Sequence, residues 1–286
     1  MQPNRTEKTK KMTALTSRPA ILPQLDALRV LKLSGALWFV IAVIGQAAFA
    51  AYILGFYGVS TAQGDFERMD GRVFHGFIDG DLLGNSLFLS HVLLAFIITF
   101  GAPFQLVPQI RNNFRTFHRW NGRLFLLVAV VMSVGALVLV YHRGVVGGAF
   151  VATGNTINAI CILVFSAMTL RFALKRRFAD HYRWAMRLFI AASGVWFFRL
   201  GFGFWAGITG GTMPGSAMDL TGPFDRFLGI GHAVIPLLVL ELYLLVRDRG
   251  SAPARYAMAG GMVAVSAATA LGIFMAAQIF WLPALH

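Results

Sequence analysis

The sequence predicts an all-α, polytopic transmembrane bundle of about seven helices, with its N-terminus cytoplasmic and its C-terminus outside. Three observations carry this. Apolar residues make up 57% of the 286-residue chain and charged residues only 13%, with 30 glycines on top of the apolar set. A soluble domain carries about 25% charge. Charge-free runs recur at the length of a membrane crossing: no Asp, Glu, Lys or Arg falls between Leu82 and Ile110, or between Tyr256 and His286. The basic residues are also segregated, as set out below.

Residues 1–32 form a basic N-terminal segment with seven Lys or Arg, and from Ile21 the pattern ILPQLDALRVLK has the spacing of a short amphipathic surface helix. The bundle occupies 33–286, with apolar segments at about 33–56, 86–108, 122–141, 151–171, 184–206, 227–246 and 257–280. These runs are apolar on every face, which favours helices over strands. Within the first, Ala48-Phe49-Ala50 resembles a signal-peptide cleavage site. The run starts late and continues through Leu54, which favours a retained helix; cleavage would leave six. The connection 57–85 is acidic and Gly-rich, a lid or a loop on the bundle rim, and 206–226 is irregular by its Gly and Pro content. The single cysteine, Cys161, lies in an apolar run and reads as a small buried hydrophobe.

Net charge is +13, yet 20 of the 25 basic residues fall on the connections that share a side with the N-terminus. Asp65, Glu67, Asp70, Asp79, Asp81, Asp219 and Asp225 fall on the other side. The positive-inside rule places the basic side in the cytoplasm. The charge is therefore topology plus contact with membrane lipids, including anionic lipid at the inner face, and not a nucleic-acid surface.

Two inner helix starts share the pattern R-W-x-x-R-L-F, at Arg119–Phe125 and Arg183–Phe189. Positions i and i+4 share a helix face, so Arg119 pairs with Arg123 and Arg183 with Arg187. The set suits lipid anchoring by Arg and Trp, or an anion or cofactor-carboxylate site under the bundle. At 1.5 Å per residue, His91, His232, Arg199 and Asn155 fall in one outer layer, and His118 and His181 in an inner one. Arg199 stands within a helix, where a cation needs a partner: Asp225, Asp219, Asn155 or a ligand anion. Glu241 is nearer the inner face, as a packing or proton-relay carboxyl.

Bis-imidazole ligation of haem b would use His118/His181 and His91/His232 as iron ligands, with Arg119, Arg123, Arg183, Arg187 and Arg199 near propionates. Two such sites make a transmembrane electron path, served by a redox or membrane protein partner. The competing classes are a transporter, with polar groups at two depths along an anion path, and a non-catalytic scaffold or assembly protein. No G-x-S-x-G elbow, P-loop, dinucleotide fingerprint or H-x-x-x-H cluster is present, so no catalytic residue is assigned.

An ordered set of motifs now suggests a family. It comprises His91, the run Gly101-Ala102-Pro103-Phe104-Gln105-Leu106-Val107-Pro108, and His118-Arg119-Trp120-Asn121-Gly122-Arg123. It continues with His181-Tyr182-Arg183-Trp184-Ala185-Met186-Arg187 and Arg199-Leu200. Residues 91–199 resemble the bacterial membrane family called domain of unknown function 2306. The resemblance implies a recurring polar set of His91, His118, Arg119, Arg123, His181, Arg183, Arg187 and Arg199, and no established activity. Ala102 and Tyr182 depart from the family pattern. The arrangement is also similar in style to di-haem b-type ascorbate reductases, whose four-ligand histidine pattern it lacks.

Overall fold

The structure is a computed structural model that describes residues 26–70 and 77–285. The described chain folds as α1 (Ala27–Gln63), α2 (Leu82–Leu106), α3 (Arg115–His142), α4 (Gly148–Leu174), α5 (Phe178–Ala192), α6 (Gly194–Ile208), α7 (Pro223–Arg249) and α8 (Ala252–Leu285). Short helices at Glu67–Asp70 and Pro108–Asn113 lie in the connections. Among the described residues six of the long helices are long and apolar enough to cross a membrane, and α5 with α6, bent by 55° at their joint, makes a seventh if the pair is one span.

The Asp26 carboxylate caps α1, accepting the Leu28 amide at 3.2 Å. Leu31 is fully buried. Residues 27–32 are thus the first turns of the first crossing and not a separate surface helix; residues 21–25 lie outside the described residues. The helix also outlasts its apolar run. A π-helical segment, Ile53–Gly58, widens the turn and gathers Tyr52, Phe56 and Tyr57 into one aromatic group, with ring centroids 4.8–5.9 Å apart. The helix stops at Gly64, whose φ of 71° is left-handed.

Neighbours run α1–α2–α3–α4–α7–α6–α8 and back to α1, with α5 packed on α4 and touching α2 and α7. Small residues permit the closest crossings. A Cβ at Gly154 of α4 would collide with the Gly229 carbonyl of α7, and one at Gly203 of α6 with the Gly272 carbonyl of α8. Leu33, Leu37, Val40 and Ile44 are exposed along one stripe of α1, as are Leu127, Val131, Val134 and Val138 on α3. Such a band of exposed apolar side chains is a lipid-facing surface.

The helix expected over 184–206 is broken. Ser193 sits at the joint, and its hydroxyl donates back to the Phe189 carbonyl at 2.9 Å. Gly194 follows, with Asn158 of α4 where a side chain would go. A Ser-Gly pair is a recurrent cause of sharp kinks. Two apolar clusters flank the joint. One gathers Phe49, Tyr57, Trp196, Leu200 and Trp281, the other Ile98, Phe125, Leu188 and Phe189. Between them the bundle is hollow.

Candidate functional site

The hollow is a cavity of about 270 Å³ enclosed by α1–α6. Alanines at 95, 102, 129, 136 and 159 leave the space, and apolar side chains supply most of the wall. Its polar lining comprises Gln46 and Tyr57 of α1, His91 and Thr99 of α2, Ser133 of α3, Asn155 and Asn158 of α4, Ser193 at the break and Arg199 of α6. Among the described residues no Asp or Glu lines it.

Arg199 lies one and a half turns into α6. Its Nη1 donates only to the Val195 carbonyl of its own helix, at a long 3.4 Å, and its guanidinium lies 5.2 Å from the centre of the Phe49 ring. It makes no ion pair among the described residues. The acidic partners expected for it are committed elsewhere. Asp225 is fully buried and accepts from Ser216 Oγ at 2.6 Å and from the Ala217 and Gly222 amides at 2.8 and 3.0 Å, folding the 209–222 connection. Asp219 accepts from the Thr221 hydroxyl and amide, which hold its carboxyl below the usual range. Of the partners proposed from the sequence, Asn155 and a ligand remain. His91 and Tyr57 line the same cavity as Arg199.

Several buried groups around the cavity have no protein partner: Gln46 Oε1, Asn158 Oδ1, His91 Nδ1 and Trp196 Nε1. A buried polar group left unpaired costs about 1–3 kcal/mol, so each is a claim on a ligand or on water. Gln46 Nε2 donates to Ser193 Oγ at 2.8 Å and so ties α1 to the break.

A second cavity of about 190 Å³ shares Phe88, His91, Ala136, Val140 and Asn155 with the first and extends to Arg143, Gly144 and Val145, at the end opposite the basic connections. Its rim is held by Asp81, which caps α2 through the Gly84 amide at 2.8 Å and accepts Arg143 Nε at 2.7 Å and His142 Nε2 at 3.3 Å. The Gly84 amide first, then Arg143, hold the Asp81 carboxyl down at about 2.

The structure thus brings His91, Arg199 and Asn155 together, and leaves His232 apart. His232 is buried at 3% exposure, its Nδ1 3.2 Å from the Leu228 carbonyl and its ring edge-on to Phe198 at 5.3 Å. At the basic end, His181 Nδ1 meets the Thr169 carbonyl at 3.0 Å and His118 Nδ1 is unpartnered. The four inner arginines do not converge. Arg183 pairs with Asp248 at 2.6 Å and Arg187 with Glu241, while Arg119 and Arg123 are exposed, Arg123 over Trp120 at 4.8 Å. Haem b does not fit this cavity: among the described residues His91 is the one histidine that lines it, and 270 Å³ is below the roughly 300–1,000 Å³ of drug-sized ligand pockets. Among the described residues no three His, Cys, Asp or Glu side chains group as a metal site.

The chain from α2 through the connection after α6 carries every lining residue except those of α1. That stretch, residues 88–218, matches a family model. It is the family of predicted membrane proteins called DUF2306. The DUF2306 match runs beyond the 91–199 resemblance at both ends and takes in Phe88 at the cavity's shared wall. No curated protein and no solved structure matches the chain. Sequence reasoning missed Gln46, Asn158 and Ser193; the available signal was an uncharged polar residue in an otherwise apolar run.

Proposed function

We propose that the protein is a membrane transporter whose substrate site is the cavity at the α5–α6 break, and that the substrate is a small anion. The observation that carries this is Arg199, a permanent cation lining a cavity at membrane depth with no carboxylate beside it among the described residues. The break supports it. A discontinuous membrane helix aims the positive end of its second half at the space before it, a recurring arrangement at transporter anion sites. The adjoining second cavity supplies a route toward one end of the bundle.

Haem b electron transfer has less support, since His91 and His232 do not share a cavity. We further place the chain in a bacterial cytoplasmic membrane with the basic end inside. There the exposed Arg111, Arg115, Arg119 and Arg123, set among exposed Phe114, Phe117 and Trp120, meet anionic lipid.

The test is thermal unfolding of the purified protein with chloride, phosphate and short carboxylates, paired with uptake of the best stabiliser into proteoliposomes. The expected result is a concentration-dependent rise in Tm for at least one anion, absent in Arg199→Gln, with matching uptake. No anion effect on the wild type would overturn the proposal.

A further inference from the structure

We infer that the ligand is a short hydroxy-carboxylic acid, an inference that rests on the anion-site reading of the cavity. Arg199 specifies one end. A planar guanidinium matches a carboxylate in a way that it does not match a spherical ion.

Gln46 specifies another part of the ligand. Its amide orientation is fixed by its neighbour. Ser193 spends its one hydroxyl hydrogen on the Phe189 carbonyl at 2.9 Å, so toward Gln46 it only accepts. The group 2.8 Å away must therefore be Nε2, and Oε1 is left as a buried acceptor without a partner. The residue is 3% exposed and lines the cavity. Asn158, nine-tenths buried and lining the same cavity, supplies a second amide group without a partner. A ligand that satisfies Gln46 Oε1 in place of water donates a hydrogen bond as well as carrying an anionic oxygen. An ammonium could donate, but among the described residues no acid lines the cavity to offset its charge. A hydroxyl donates without that cost. The apolar walls and the volume of about 270 Å³ admit a short carbon skeleton.

The probes are 2-hydroxybutanoate, 3-hydroxybutanoate, butanoate and 2-aminobutanoate, measured by calorimetry and thermal shift on the full chain in detergent. At least one hydroxy acid should bind about fivefold or more tighter than butanoate, the effect of one satisfied hydrogen bond. Gln46→Met should erase that preference while keeping butanoate affinity, and Arg199→Gln should abolish binding of both. Should Gln46→Met fail to fold, the four affinities of the wild type decide alone. Butanoate binding as tightly as both hydroxy acids, in an Arg199-dependent way, overturns this inference and leaves the anion site standing. So does 2-aminobutanoate binding as tightly as the better hydroxy acid. Absence of binding by every carboxylate and inorganic anion overturns both.

Discussion

Arg187 and Glu241 form a two-pronged ion pair between α5 and α7, with Nε to Oε1 at 2.6 Å and Nη2 to Oε2 at 2.8 Å. The same guanidinium lies over the Trp184 ring at 4.6 Å, one turn back on its own helix. The two contacts are separable. Glu241 is about half exposed, so the pair contributes at most about 1 kcal/mol. Stacking on Trp adds about 0.5–1 kcal/mol at an exposed site. Glu241→Gln should therefore lower stability by less than about 1 kcal/mol, and Arg187→Leu by about 1–2 kcal/mol, because it loses both contacts. Denaturant or thermal unfolding in detergent reads the difference. A larger loss for Glu241→Gln than for Arg187→Leu contradicts this account.

The break between α5 and α6 depends on Gly194. A Cβ there would meet Asn158 Nδ2 at 2.6 Å and its Cγ at 2.8 Å, closer than real contacts allow. Gly194→Ala must push Asn158 into the cavity or straighten the joint, at about 1–3 kcal/mol. Gly260 and Gly261 of α8 are the control, since a Cβ at either meets nothing within 4 Å. Gly260→Ala should leave Tm unchanged or raise it, while Gly194→Ala should lower both Tm and anion binding.

These features differ in how far the sequence reveals them. Helix rise converts position into depth, so His91, Asn155 and Arg199 were legible as one layer, and they do line one cavity. Depth carries no azimuth. In helices apolar on every face nothing marks which side a residue takes, and His232, equal in depth, turns to Phe198. The repeated R-W-x-x-R-L-F motif was legible as arginines sharing a helix face, whereas the stacking of Arg123 over Trp120 and of Arg187 over Trp184, the same contact one helical turn apart, was not read from it. It could not give the acids that answer Arg183 and Arg187, which come from α7. The Gln46–Ser193 bond joins residues 147 positions apart, and only packing brings them together.

Low pH should loosen the start of α2 first. The Asp81 carboxyl is held near 2, below its ordinary 3.8, by the Gly84 amide and Arg143. A depressed carboxylate contributes stability above its unfolded pKa and loses it as pH falls through the folded one. The contribution is therefore full above about pH 4 and gone below about pH 2. Hydrogen exchange at Gly84, whose amide donates to Asp81 Oδ1, should accelerate across this window relative to mid-helix amides. Asp81→Asn should remove the pH dependence there. An unchanged profile in that variant assigns the transition to another group.

The bent pair α5–α6 is either one crossing or a re-entrant loop, and the packing points to a crossing. Arg183, in the second turn of α5, reaches Asp248 at the C-terminal end of α7. Gly203, in the third turn of α6, abuts Gly272 of α8. That residue lies about 30 Å along α8 from its start at the basic end. Beyond α6, Ser216 bonds Asp225 in the first turn of α7, at the opposite end of the helix that holds Asp248. The pair therefore joins one end of the bundle to the other, and in the proposed orientation its basic flank, Arg171 to Arg187, lies on the cytoplasmic side. A phosphatase active only in the periplasm should be inactive when fused after Arg177 and active when fused after Gly215. A fluorescent protein that matures only in the cytoplasm should give the reverse. Activity after Arg177 with silence after Gly215 would invert the orientation and keep the crossing. The same reporter active at both positions would make the pair re-entrant and reduce the bundle to six crossings.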